Sequence, residues 1–317
     1  MNRREFLTAT GTVIFASRVS LAAAAAAPHA FVTCDAEAKV ALVDLSAFRV
    51  VRKVPTLPDP RSIELVGDHA VLCHTAAGAV SILDPNGRVL HVLREFVEPR
   101  YTAAHPNGRI AFVTDSGRSS VVAIDVLRGD VLGRVRLREW ARHLTLDANG
   151  RTLWIGLGSA SPDVAVVDVS RPSHPKHVAT VTPPYPAHDV GFAGERIWVT
   201  SGAAREAGIF DRAGKLHVRL AADLAPQHVT FGDGVAYVTS GDSGTLHVQR
   251  LSDGAVLRRT PIEIGSYNVQ YGFGRVITAS LLHGTLTVLD AHGALLAVVH
   301  VSESCHDACF NGTLTAP

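Results

Sequence analysis

A chain of 317 residues with 30 basic and 29 acidic side chains has no excess of either sign, which excludes a general nucleic-acid binder carrying a broad basic face. Hydrophobic residues make up 47% of the chain but aromatics only 6%, with 27 glycines. That mixture supplies a large core of Val, Ala and Leu, and suits many short strands and tight turns better than long helices.

The first residues form a separate unit. Arg3 and Arg4 precede Phe6 and Leu7, an apolar run follows from Thr10 to Leu21, and an alanine tract ends at Ala27. This is the layout of an export signal. It resembles the twin-arginine signal family, which implies that a folded protein is exported to the periplasm or secreted. Removing residues 1–27 takes three arginines and one glutamate from the totals, leaving 27 basic against 28 acidic residues, a formal charge of −1. No cysteine stands where a lipid would be attached, so no membrane anchor is expected after cleavage. Residues 28–317 then form a single domain.

From Ala30 a strand phrase, Phe31-Val32-Thr33-Cys34, begins without an inner strand before it, and Ala36 to Val54 supplies the next two strands. Thereafter one phrase recurs seven times, opening on a polar residue and continuing with apolar alternation. Its copies start at Arg61, Arg100, Arg142, His188, Gln227, Tyr267 and His306, which are 39, 42, 46, 39, 40 and 39 positions apart. A period near 40 reads as one four-stranded propeller blade per repeat. The fold class is therefore all-β, a seven-bladed β-propeller. The unpartnered phrase His306 to Phe310 is expected to join the N-terminal strands and close the ring, which removes its exposed edges.

Within each repeat the phrase is followed by a Gly-containing turn, a second strand, a third strand ending in Asp, and a fourth. The repeat from Gln227 is the clearest, with turns at Gly232-Asp233-Gly234, Gly241 to Gly244 and Ser252-Asp253-Gly254. Asp44, Asp84, Asp125, Asp168, Asp211 and Asp290 each end a third strand and read as turn-formers. Tyr237-Val238-Thr239-Ser240 resembles the signature of the YVTN-type seven-bladed propeller family. Phe112-Val113-Thr114-Asp115, Trp198-Val199-Thr200-Ser201 and His105-Pro106-Asn107-Gly108-Arg109 extend the resemblance over residues 29–317, although the signature Asn is missing at every copy. The resemblance implies the fold; it leaves function open, because the family carries binding proteins and enzymes on one scaffold.

Seven phrases around one axis bring their opening residues together. Arg61, Arg100 and Arg142, from consecutive blades, would form a cationic arc able to clamp a carboxylate or phosphate. Tyr101, His143, His188, Asp189, Gln227, His228, Tyr267, Asn268, His306 and Asp307 complete the expected funnel lining. Histidines there could orient a ligand or move protons, and a lactonase-like hydrolase is one outcome. The other is a transition metal, copper or zinc, held by His188, His228 and His306 with Cys305 as a further ligand. This resembles in outline the histidine-ringed copper sites of propellers related to nitrous-oxide reductase. The nearby arginines oppose a metal cation unless they sit apart. Cys34 and Cys309, on strands expected to be neighbours, could form a disulfide across the ring closure.

No Walker loop, nucleophile elbow or dinucleotide fingerprint occurs in the chain. The expected function is that of an exported, monomeric binding or accessory protein whose funnel takes a small anionic or metal-containing ligand. The alternatives are a hydrolase or metal-dependent enzyme using the same histidines, and a scaffold that binds a protein partner on its rims.

Overall fold

Seven four-stranded antiparallel sheets succeed one another along the chain, and in six of them the four strands are consecutive in sequence. The computed structural model describes residues 28–158 and 161–311, so the segment expected to direct export lies outside the described residues. The innermost strands of the second to seventh blades are Pro60–Val66, Pro99–Ala104, Leu144–Leu146, Ala187–Ala193, Gln227–Gly232 and Ser266–Gly272. The first blade is composite: Ala308–Asn311 pairs with His29–Cys34, followed by Lys39–Asp44 and Arg49–Pro55. The ring is thus closed by the C-terminal strand, as its repeat register requires.

The closing strand starts two residues later than the phrase suggests, because His306 and Asp307 leave the regular ladder. Its register sets Ala30 opposite Phe310 and Phe31 opposite Cys309. That register corrects the cysteine expectation. Cys309 packs with Phe31, Ile63 and Leu72, while Cys34 shares a different cluster with Cys305. All four cysteines are free and buried, with no Cys34 to Cys309 disulfide.

Second-strand aromatics fill the seams between blades. Trp154 meets Phe192 of the next blade at 6.3 Å, Trp198 meets Phe231 at 6.0 Å, and Tyr237 stacks on Tyr271 at 5.2 Å. Each pair contributes about 0.5–1.5 kcal/mol beyond its buried area. The third-strand aspartates turn the chain as expected. Asp44 accepts from the Ser46 and Ala47 amides, Asp84 from Asn86 and Arg88, and Asp290 from His292 and Ala294.

What positions the channel is a defect in the inner ladder. Pairing with the second strand is interrupted between Pro60 and Ser62, Pro99 and Thr102, Ala187 and Val190, and Ser266 and Val269. A skipped residue leaves an amide without a ladder partner. The threonine of the recurring Val-Thr phrase supplies one: Tyr101 N–H donates to Thr114 Oγ1 at 3.1 Å, Asp189 N–H to Thr200 Oγ1 at 3.0 Å, and Asp307 N–H to Thr33 Oγ1 at 2.9 Å.

The next layer of bonds runs from blade to blade. His143 Nδ1 donates to the His188 carbonyl at 3.0 Å, and Asn268 Nδ2 to the His306 carbonyl at 3.1 Å. Ser62 Oγ donates to the Arg100 carbonyl. Asp189 accepts the Val229 amide at 3.0 Å, and Asp307 accepts the Ile63 amide at 3.1 Å. The same repeat position therefore ties five of the seven inner segments to their neighbours.

Thr33 makes two buried bonds across the closure, accepting from Asp307 N–H and donating to the Asp307 carbonyl. Thr33→Val keeps the shape and removes both. It should lower the unfolding free energy by about 1–3 kcal/mol in a urea titration, because the Asp307 amide is left buried without an acceptor while the Asp307 carbonyl keeps the Thr33 amide at 2.9 Å. An unchanged midpoint would show that the closure does not depend on that hydroxyl.

Candidate functional site

Three imidazoles from consecutive blades converge on the axis: His143 of the fourth, His188 of the fifth and His228 of the sixth. One ring nitrogen from each lies within 4.8 Å of the others, and all three side chains are buried. The convergence depends on local backbone. His188 opens its phrase and His228 stands second in its own, yet the interruption between Ala187 and Val190 offsets the fifth blade against the regular sixth. Gly156 occupies the place threonine holds elsewhere, and a Cβ there would come within 2.8 Å of the His188 carbonyl. Glycine thus leaves space for the acceptor that orients His143.

Because a carbonyl only accepts, the His143 proton resides on Nδ1, and Nε2 keeps a free lone pair. That Nε2 is buried without a partner, as is His188 Nδ1. His188 Nε2 and His228 Nε2 face each other at 3.2 Å. Nitrogens bound tetrahedrally to one metal at about 2.0–2.1 Å stand roughly 3.3 Å apart, so this pair already has ligand spacing. The third nitrogen would close by about 1.5 Å at most.

Burial holds all three rings far below the usual histidine range, His188 at about 3, and Arg142 adds to the effect at each. They are neutral at physiological pH and need shed no proton to accept a metal.

Beside the trio lies a cavity of about 120 Å³, with Tyr101, His143, His228 and Asn268 in its wall. Carboxylates face it too. Burial lifts Glu64 and Asp189 to about 7 and Asp307 well above its usual range. Asp189 and Asp307 each accept two backbone amides, so they brace the ring as well as line the channel. Glu64 accepts from Gln270 Nε2 at 2.8 Å. Burial also pushes the Tyr101 phenol up to about 12, so it acts only as a neutral hydroxyl.

Several expected lining residues take other places. Gln227 is fully buried: its amide donates to the Ala204 and Asp223 carbonyls and accepts from Ser201 N–H, joining loop to strand. Tyr267 lies over Gly241 and donates to Asp242 Oδ1 at 2.6 Å. His306 is held at about 3, chiefly by burial and then by Arg61, but it stands outside the histidine trio. Cys305 is packed against Cys34 in the apolar seam of the closure, also outside the trio.

The predicted ligand set therefore loses His306 and Cys305 and gains His143. Glu64 and Gln270, absent from the expected lining, occupy the fourth position of the phrase, one strand period below Ser62 and Asn268. That alternation was the available signal.

No family model matches the chain, and no curated relative matches its sequence. Solved structures match its shape. A functionally unknown protein from Desulfotomaculum acetoxidans DSM 771 aligns with TM-score 0.77 at 10% identity, over 89% of this chain and 98% of that one. Kuenenia stuttgartiensis hydrazine synthase aligns with TM-score 0.68 at 15% identity, over 79% and 89%. The Myceliophteria thermophila Cps50 (Swd1) β-propeller domain aligns with TM-score 0.63 at 14% identity, over 76% and 86%. At these identities the likeness defines the class, a seven-bladed β-propeller, and nothing narrower.

The buried histidines make stability pH-dependent with a definite sign. Between pH 6.5 and about 3 the unfolded chain protonates His188 while the folded ring does not. The unfolded state then binds more protons, and stability falls as pH falls. Between pH 7 and 5 the wild type should lose about 2 kcal/mol more than His188→Asn in paired urea titrations. Equal losses would mean that His188 is not held neutral.

Proposed function

We propose that the protein is an exported binding protein that holds one transition-metal ion on the propeller axis through His143, His188 and His228. The observation that carries this reading is the convergence of three buried imidazoles, with His188 Nε2 and His228 Nε2 already at ligand spacing and His143 Nε2 buried without a partner. An ion would satisfy the buried lone pair of His143 Nε2 and take the place of the His188–His228 contact. Copper and zinc fit the donor set, since imidazole suits borderline cations.

The adjoining cavity has room for one small molecule beside the ion, bordered by the neutral hydroxyl of Tyr101 and the Asn268 amide. Among the described residues no hydroxyl or thiol hydrogen-bonds to the trio, so a nucleophile–base pair is lacking.

Chelator-free protein should contain close to one equivalent of copper or zinc by mass spectrometry, or take up one equivalent of Zn²⁺ or Cu²⁺ in calorimetry. His188→Ala and His228→Ala should weaken that binding by about a hundredfold or more, a larger loss than outer-shell changes cause. Because the rings are neutral without metal, affinity should change little from pH 8 to 5, where an exposed histidine site would weaken below 6.5. Absence of stoichiometric binding, or binding indifferent to both substitutions, overturns the proposal.

A further inference from the structure

Arg61, Arg100 and Arg142 each precede by one residue the position that lines the channel, and so collect at one end of it. Among the described residues none of their guanidinium groups donates a hydrogen bond. Several other arginines make close ion pairs: Arg109 reaches Asp125 at 2.7 Å, Arg212 reaches Glu195 at 2.7 Å and Arg219 reaches Glu206 at 2.6 Å. At the channel mouth the nearest carboxylates stand back. Asp35 and Asp59 are 3.7 and 3.8 Å from Arg61, and Glu98 is 3.7 Å from Arg100. Arg142 has no carboxylate within ion-pair distance among the described residues.

Trp140 arranges two of these cations. The Arg100 guanidinium lies 5.0 Å and that of Arg142 5.6 Å from its ring centroid. The indole is itself pinned, donating from Nε1 to Glu98 Oε2 at 3.2 Å. Like charges held around one ring repel: burial and then Arg142 push Arg100 below its usual range. Stacking fixes each fork in advance, so little ordering remains to be done on binding, and a planar fork matches an oxygen pair in two parallel hydrogen bonds.

We propose that Arg100 and Arg142 form a binding site for a small oxyanion, a carboxylate, phosphate or sulfate group, at the arginine end of the channel, with Arg61 at its flank. The site is distinct from the histidine trio and does not require a metal. The anion supplies acceptors to donors that have none and relieves the repulsion between the two cations.

The test is calorimetry of chelator-treated protein at low ionic strength with inorganic phosphate, sulfate and acetate as probes. Saturable one-to-one binding of at least one is expected, weakened about tenfold or more by Arg100→Ala and by Arg142→Ala. Arg142→Lys, which keeps the charge without the fork, should fall between wild type and Arg142→Ala and guards against a variant that fails to fold. His188→Ala should leave anion binding unchanged, so failure of the metal reading would not affect this one.

No saturable binding of any probe overturns the inference. So does binding that persists in both alanine variants, or binding that appears only after metal is loaded, which would make the anion a ligand of the ion.

Discussion

The skipped residue at the head of the inner strands is the constraint on which the site depends. A regular ladder would alternate side chains strictly between the two faces of each blade, sending every second residue into a seam. The interruption releases a short segment, and the threonine hydroxyl of the second strand accepts the amide that would otherwise be buried unpaired. Side chains at Tyr101, Asp189 and Asp307 then reach the axis. The recurring Val-Thr phrase is thus a piece of channel architecture as much as a strand pattern.

A second circuit of bonds gives the channel its rigidity. Ser62, His143, Asp189, Asn268 and Asp307 occupy one repeat position and each bonds to the backbone of the following inner segment. Such a bond is unavailable in an isolated blade, because its partner belongs to the next. The inner wall is therefore a collective property of the closed ring, and the composite first blade completes it through Thr33 and Asp307. His143 shows how this serves a site: the bond that braces the ring also selects the tautomer and leaves Nε2 free.

Neutral histidines and carboxylates whose ionisation is suppressed by burial line the same cavity, and the guanidiniums stand beside them. Arg142 links the regions, since its charge helps keep His143, His188 and His228 unprotonated. The arginines that oppose a cation electrostatically thereby also keep its ligands free of protons. An anion on Arg142 would temper that opposition, so the two proposed sites are electrostatically compatible.

The seven-fold ring, its closure by the C-terminal strand and the turn aspartates were legible in the sequence, because each rests on periodicity and local turn chemistry. Repeat position alone grouped His188 with Gln227 and Tyr267, and His143 with Asp307. It did not show that His143, His188 and His228 meet, that Gln227 leaves the axis, or that Cys34 faces Cys305 and not Cys309. The meeting of the histidines turns on a register shift in the fifth blade, which moves a side chain from one face to the other without altering the repeat. Gln227 follows its side-chain partners in a regular ladder, and Cys309 follows the closing register that sets it opposite Phe31. Periodicity is written along the chain, whereas the match between a skipped residue, a threonine and the next blade exists only once the ring has closed.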